Sequence, residues 1–431
     1  MAPAYRPLRL ATLASGAVLS LLVAAWATSA AAETGAAEGG TRMAAGAAPA
    51  ADEAGLSPLE LLGKKIFEDT RLSEPPGVSC ASCHEASKAF QGNNGSPVAA
   101  LAQGSRAGVL GKRNTPTLSY ISYAPRFGLV EEQEEEATEG ALVPAGGMFW
   151  DGRADDLVAQ VEGPLLEPRE MNNPSKAAVV EKIKAGDYAG LAKQVYGESL
   201  FSDPDVFVKL ARAVAAFEST PRFHPFASKF DDFLRGKEKL SKEEARGFAL
   251  FMDKKKGNCL ACHAGKKGSR NPQDWLFTDF TYDGLGAPRN PAVPDNKDPA
   301  WFDPGLCVRK DFPLAPPSYV EGLCGQFKTP TLRNVAITGP YLHNGVFSSL
   351  RDVVAFYATR DTNPERWFPK VGGKTAKFDD LAPPHHENVN VKEVPYDRRP
   401  GQKPRLDDKE IDSIVAFLLT LTDRPPGAAR R

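Results

Sequence analysis

Two copies of one short pattern, Cys80-Ala-Ser-Cys83-His84 and Cys259-Leu-Ala-Cys262-His263, lie 179 residues apart in a chain of 431. At the spacing C-x-x-C-H two thiols add across the two vinyl groups of a haem, and the adjoining histidine reaches the iron from one side. One copy alone reads equally as a redox dithiol or as half of a zinc site. Two copies, each ending in histidine, point instead to two covalently bound c-type haems. Cys80, Cys83 and His84 would hold the first, and Cys259, Cys262 and His263 the second. A repeat at this distance also predicts a duplicated unit, with one iron at the centre of each domain.

The ends and the remaining cysteines say where such chemistry would take place. Arg6 and Arg9 precede an apolar run from Leu10 to Trp26, followed by Ala27-Thr28-Ser29-Ala30-Ala31-Ala32. Positive, apolar and small residues in that order predict a signal peptide over residues 1–32, cleaved near Ala32, and export to the periplasm. The apolar stretch is short for a retained anchor, and no later segment approaches spanning length, so no membrane span is expected in the mature form. Residues 33–55 are Ala/Gly-rich and read as a flexible leader. The acidic run Glu131–Glu139 reads as a solvated loop. A net charge of −1 gives no global reason to bind nucleic acid. Cys307 and Cys324 lie in a Pro/Gly-rich insertion from about Gly268 to Gly325. In an oxidising compartment they are expected to form a disulfide, worth about 3 kcal/mol on the chain-entropy model.

Helix-like stretches precede both motifs, at Leu59–Phe67 and Ser241–Met252, where Ser241 and Glu244 match a capping box. Asp205–Phe217 and Asp407–Leu421 are apolar on one face. Strand-like alternation is scarce. The expected fold is mainly α, with two cytochrome-c-like haem domains, residues 56–230 and 231–425, and long irregular loops.

A c-type haem has one ligand guaranteed by its motif, and the second decides what the iron does. The methionines are Met1, Met43, Met148, Met171 and Met252. None follows the second motif, so a His/Met pair is not expected at the C-terminal haem. No histidine lies between His84 and His224. The N-terminal haem therefore has none on the following loop to close it, and an iron with an open position can bind hydrogen peroxide.

Several further stretches resemble the bacterial di-haem cytochrome c peroxidase family, including its MauG-like branch. They are Gly111-Lys-Arg-Asn-Thr-Pro-Thr117, Met148-Phe-Trp-Asp-Gly-Arg153, Gly163-Pro-Leu-Leu-Glu-Pro-Arg-Glu-Met171, Phe327-Lys-Thr-Pro-Thr-Leu-Arg-Asn334 and Gly339-Pro-Tyr-Leu-His-Asn-Gly345. With the two haem motifs they cover nearly all of the chain after the leader, in the family's order. The resemblance implies that Trp150 lies between the haems as a relay, and that Gln160 and Glu170 face the open iron. There a carboxylate can carry a proton between peroxide oxygens while an amide orients them. Taken alone, Glu170 reads as a surface carboxylate and Trp150 as a core aromatic. The resemblance also implies a calcium site from Asn114 and the carbonyls of Thr338 and Pro340, oxygen donors suited to a hard cation.

One departure from the family's pattern is informative. Its electron-accepting members have a methionine fourteen residues after the histidine of the Pro-Tyr-x-His motif. Here that place is taken by Tyr357, as in the MauG-like branch, where a tyrosine is the axial ligand. A phenolate is a hard donor that favours the higher oxidation states of iron. Members that need reductive activation usually carry a histidine between the first motif and Lys112, and this chain has none. The expectation is a periplasmic peroxidase that reacts with hydrogen peroxide at the His84 haem. It would share the oxidising equivalents with a His263/Tyr357 haem and oxidise residues of a partner protein. Two alternatives stay open: peroxide removal with electrons from a small cytochrome or cupredoxin, and a di-haem electron carrier that is no enzyme. Lys254-Lys255-Lys256 could dock an acidic partner, and His385-His386 reads as a surface pair. His343 reads as a structural hydrogen-bonding residue. Trp275, Trp301 and Trp367 could each extend a route to the surface.

Overall fold

A computed structural model of the protein describes residues 55–131, 141–309, 311–312 and 317–425. The expected signal peptide, all but the last residue of the expected leader and the acidic run after Glu131 lie outside the described residues. The helices are α1 (Pro58–Glu68), α2 (Cys80–Cys83), α3 (Leu157–Gln160), α4 (Glu162–Leu166), α5 (Lys176–Lys184) and α6 (Ala189–Tyr196), then α7 (Val206–Glu218) and α8 (Lys229–Leu234). After these come α9 (Lys242–Met252), α10 (Pro317–Glu321), α11 (Leu350–Thr359) and α12 (Asp408–Leu419). Long irregular stretches with short 3-10 turns connect them. The fold is mainly α.

Local chemistry sets the starts of the principal helices. Ser57 and Glu60 form a capping box at α1, with Pro58 in the first turn, where its missing N–H costs nothing. Ser241 and Glu244 do the same at α9, and Asp407 and Glu410 at α12. The sequence-based helix positions agree with these to within a few residues.

The first and last of these long helices pack pairwise within each half, α1 on α7 and α9 on α12. One buried cluster runs from Leu62 to Phe223, and a second from Phe230 to Leu421. The two crossings use the same device. Gly63 of α1 lies against the Ala213 carbonyl of α7, and Gly247 of α9 against the Ser413 carbonyl of α12. A Cβ at either glycine would fall inside the carbonyl's van der Waals radius, and 2.9 Å from the Cβ of Phe217 or Phe417 respectively. The repeat seen in the haem motifs thus extends to the helix contacts behind them.

The strands are short antiparallel pairs. β1 (Gly128–Glu131) pairs with β2 (Leu142–Ala145), and β5 (Lys370–Val371) with β6 (Lys374–Thr375). Between them β3 (Tyr282–Asp283) pairs with β4 (Phe327–Lys328), drawing together the two ends of the insertion. Cys307 and Cys324 form the expected disulfide inside it, with Cα atoms 4.7 Å apart.

Gly247→Ala is expected to lower stability by about 1–3 kcal/mol, because a close-packed crossing must part to admit a methyl group. Gly190 of α6 faces open space. Gly190→Ala should be neutral or stabilising by up to about 1 kcal/mol, the helix-propensity difference. Denaturant unfolding followed by far-UV circular dichroism measures both; similar effects would contradict the close-approach account.

Candidate functional site

Each haem motif is wound into one tight turn. In α2 the His84 N–H donates to the Cys80 carbonyl at 2.9 Å, and the Ser79 N–H to the Ser82 hydroxyl at 3.0 Å. In the second motif a 3-10 turn, Cys259–Ala261, follows Asn258 in the left-handed region, and the His263 N–H donates to the Cys259 carbonyl, again at 2.9 Å. The repeated bond brings the two cysteines and the histidine of each copy to one cavity wall.

The histidines are oriented by their backbone partners. His84 Nδ1 lies 2.9 Å from the Phe90 carbonyl. His263 Nδ1 lies 3.2 Å from the carbonyls of both Phe277 and Pro330. A carbonyl only accepts, so Nδ1 must carry the proton in each ring, which leaves the Nε2 lone pair for a metal. Burial lowers both imidazoles, His263 to about 4, so they stay neutral as ligands must. Neither pair of motif cysteines is bridged. Burial pushes the Cys83 and Cys259 thiols up to about 12 and Cys80 higher still. A redox dithiol needs the opposite shift. Among the described residues no group of three or more His, Cys, Asp or Glu is arranged to hold a metal ion.

Both motifs open on one continuous cavity of about 1110 Å³, larger than the roughly 300–1,000 Å³ of an ordinary small-ligand site. Its lining also includes Trp150, Gln160, Glu170, Asn114, Thr338, Pro340 and Tyr357, so every catalytic, axial-ligand and calcium candidate named from the sequence reaches it. The donor sets and the space fit two haems.

Glu170 sits in a turn after α4, where its N–H donates to Glu167 and its carbonyl accepts from the Ser105 N–H at 2.8 Å. The side chain is half-buried on the cavity wall. Burial raises its carboxyl to about 6; Arg153 pulls it down and Glu167 up. Gln160 ends α3, whose start is set by the Asp156 cap. Trp150 follows Phe149, which occupies the left-handed region at φ 66°. Its indole N–H donates to the Asn114 carbonyl at 2.8 Å, and its own carbonyl accepts from the Lys328 N–H at 2.8 Å. Trp150 thereby touches both halves of the chain. Asn114 is buried, with its amide 2.6 Å from the Pro340 carbonyl and 3.1 Å from that of Leu342. Its Oδ1 accepts from Gln91 at 3.3 Å.

On the other side Tyr357 projects from α11. Burial raises its phenol far above the usual range, the neighbouring Cys262 and Asp283 add to this, and Arg360 opposes. Tyr396, which the sequence reading missed, is buried beside it with ring centroids 5.8 Å apart. The fully buried Arg360 lies 4.3 Å over the Tyr396 ring and is held by the carbonyls of Leu285 and Asn390. Nothing local marks Tyr396, which lies in an aperiodic loop. Glu218, at the end of α7, was also missed. It is buried on the cavity wall with one carboxyl oxygen unpartnered, and burial raises it to about 8.

The remaining candidates divide. His343 lies on the cavity wall, stacked on Phe327 at 3.6 Å with Nε2 3.1 Å from Asp380, the structural role expected of it. His224, His385 and His386 do not line the cavity. Trp301 does, whereas Trp275 lies in the second core and Trp367 packs on Phe347 and Phe356. Lys256 is tied to Glu410 at 2.7 Å. If the haems are joined through thioethers, both survive denaturation and proteolysis on peptides spanning Cys80–His84 and Cys259–His263. Mass spectrometry of wild type against Cys80→Ala/Cys83→Ala should then show the loss of one haem.

Comparison with known proteins agrees with this geometry. The family model described as di-haem cytochrome c peroxidase matches residues 58–239. The methylamine utilization protein MauG of Paracoccus denitrificans is 35% identical over 373 residues, covering 85% of this chain and 89% of that protein. The cytochrome c551 peroxidase of Nitrosomonas europaea is 30% identical, covering 68% and 70%. The crystal structure of the diheme peroxidase BthA from Burkholderia thailandensis superposes with a TM-score of 0.77 at 42% identity, covering 86% of this chain and 90% of that one. These relatives are enzymes, and the electron-carrier reading falls with them. With its paired haem motifs on one cavity, the chain belongs to the di-haem cytochrome c peroxidase family, including its MauG-like members, and is a two-haem oxidoreductase.

Proposed function

We propose that this protein reduces hydrogen peroxide at the His84 haem and passes the oxidising equivalents, through Trp150 and a His263/Tyr357 haem, to a partner protein whose side chains it oxidises. The observation that carries this reading is the unlike furnishing of the two walls. Glu170 is close enough to Cys80 and Cys83 for its charge to act on their thiols, Tyr357 is close enough to Cys262 and Cys259 to be acted on by theirs, and Gln160 lines the same cavity. Apart from the motif histidines only His343 lines the cavity, and its Nε2 is held by Asp380. Met148 and Met171 also reach the cavity but are buried in protein packing.

The haem, when bound, supplies the iron whose redox chemistry cleaves the O–O bond. Reduction of peroxide to two waters consumes two electrons and two protons. The Glu170 carboxylate takes the proton from the oxygen nearer the iron and returns it to the departing one. The Gln160 amide orients the peroxide. Trp150, hydrogen-bonded to Asn114 and in register with Lys328, stands between the two sites. Tyr357 supplies a hard oxygen donor, and a metal ion is what would draw off its proton against the burial that holds the phenol neutral. Asn114, Thr338 and Pro340 all line the cavity, and their neutral oxygens are of the kind suited to one hydrated Ca2+ between the halves. The separate cores and helix crossings support domains at 56–230 and 231–425. The disulfide and the leading residues support a periplasmic location. Among the described residues no helix is long and apolar enough to cross a membrane.

The test is electron paramagnetic resonance and optical spectra of the resting ferric protein, repeated after one equivalent of peroxide. One high-spin and one low-spin haem, with peroxide changing both spectra without prior reduction, is the expected result. Two low-spin haems that ignore peroxide until half-reduced would overturn it. Tyr357→Phe should convert the low-spin signal to high-spin and leave the other unchanged. Brisk steady-state turnover with a reduced small cytochrome would favour the peroxide-removing alternative.

The peroxide reaction should also depend on pH. Glu170 acts as a base only when ionised, and burial raises it to about 6. The rate is therefore expected to be level above that pH and to fall about tenfold per unit below it. Glu170→Gln should remove the step and slow the reaction by about 10²–10⁴-fold. A stopped-flow pH profile of both proteins checks this.

A further inference from the structure

The insertion between β3 and β4 belongs in sequence to the second half of the chain but is fastened to the first. Val293, 2% exposed, packs with Ala100, Leu101 and Leu110 of the loop that follows the first haem motif. Asp295 pairs with Arg169, the neighbour of Glu170, at 2.5 Å. Arg169 in turn donates to the Leu110 carbonyl at 2.7 Å. Asp303 takes two hydrogen bonds from Arg113, at 2.6 and 2.7 Å, while Arg113 also reaches Asp151 at 2.6 Å. Arg309 donates to the Gly152 carbonyl and to Asp155, and lies 3.8 Å over the Phe127 ring.

These anchors fall on the stretches that carry the Glu170 wall: residues 100–113, 151–155 and 169. Pro294, Asp295, Lys297 and Trp301 themselves line the cavity. The Arg169 and Asp295 side chains are 22% and 24% exposed, as expected at a rim and not in a core. A second pair, Lys112 with Glu167 at 3.2 Å, spans the same edge.

We propose that residues 293–303 form a size-selecting collar over the approach to the Glu170 wall, with Trp301 and the Asp295–Arg169 pair, all on the cavity lining, as its specificity-determining residues. The inference rests on the His84 haem being the peroxide site. Hydrogen peroxide is small and polar, and can exchange hydrogen bonds with the charged pair as it passes. A tertiary alkyl or aryl hydroperoxide must part the pair and crowd past Trp301. An apolar group offers the separated charges nothing in return. The collar therefore admits hydrogen peroxide and excludes bulky organic hydroperoxides, in addition to holding the Glu170 wall in place.

The experiment uses the ferric protein with both haems and follows the Soret band by stopped flow. The probes are cyanide and 4-phenylimidazole, which bind without turnover, and hydrogen peroxide and cumene hydroperoxide, which react. In wild type the small member of each pair should act readily and the bulky one slowly. Asp295→Ala at the exposed rim, and separately Trp301→Ala, should each speed both bulky probes by about tenfold or more and leave the cyanide rate within about twofold. Bulky probes entering wild type as fast as cyanide would overturn the collar. So would variants in which large and small probes accelerate together, since that marks general loosening. A wild-type protein that binds neither cyanide nor 4-phenylimidazole would overturn the open-iron reading itself, a pattern distinct from either.

Discussion

An imidazole that gives its one proton to a backbone carbonyl has a single nitrogen left for a metal, and that nitrogen points away from the carbonyl. In this protein the arrangement occurs twice, at His84 with Phe90 and at His263 with Phe277 and Pro330. Each motif is wound so that its histidine N–H bonds back to the first cysteine of its copy. The direction of each iron site is therefore set by backbone carbonyls, which side-chain substitution does not remove. The long helices, the glycine crossings and the capping boxes serve to keep those carbonyls where they are.

From that common frame the two halves diverge in what they bring to the cavity. The first offers a carboxyl raised by burial and an amide, groups that handle protons. The second offers phenols, with Arg360 packed over Tyr396 and Asp283 nearby. Trp150 is bonded to both halves through Asn114 and Lys328, so its position depends on their being docked. The proposed division of labour would follow from these side chains, because the motifs themselves are the same.

The docking rests heavily on charge. Arg113 joins Asp151 to Asp303, Arg309 joins Gly152 and Asp155 to the insertion, and the fully buried Arg333 lies 4.9 Å over the Tyr120 ring of the first half. Partly buried ion pairs are weak evidence of stability, since desolvation offsets much of their attraction. Their geometry is demanding, however, and a bidentate guanidinium tolerates little sliding. They account for one relative placement of the halves better than for strength, while the apolar contact of Val293 with Leu101 and Leu110 supplies burial.

The sequence by itself determined whatever depends on residues a few positions apart. The spacing C-x-x-C-H implied haems, the Ser-x-x-Glu pattern placed the start of α9, and the apolar periodicities of 205–217 and 407–421 marked helices, because all of these are interactions within one turn. The resemblance to a known family brought forward Glu170, Trp150 and Tyr357, which no local pattern distinguishes from a surface carboxylate or core aromatics. Only the tertiary structure decided that Tyr396 lies against Tyr357, that one carboxyl oxygen of Glu218 is buried without a partner, and that Asp295 reaches Arg169. These are meetings of residues 39 to 126 positions apart, or of a side chain with a cavity, and they leave no periodic trace along the chain. Loop residues have their neighbours chosen by how the two halves pack, and that packing is a property of the whole chain.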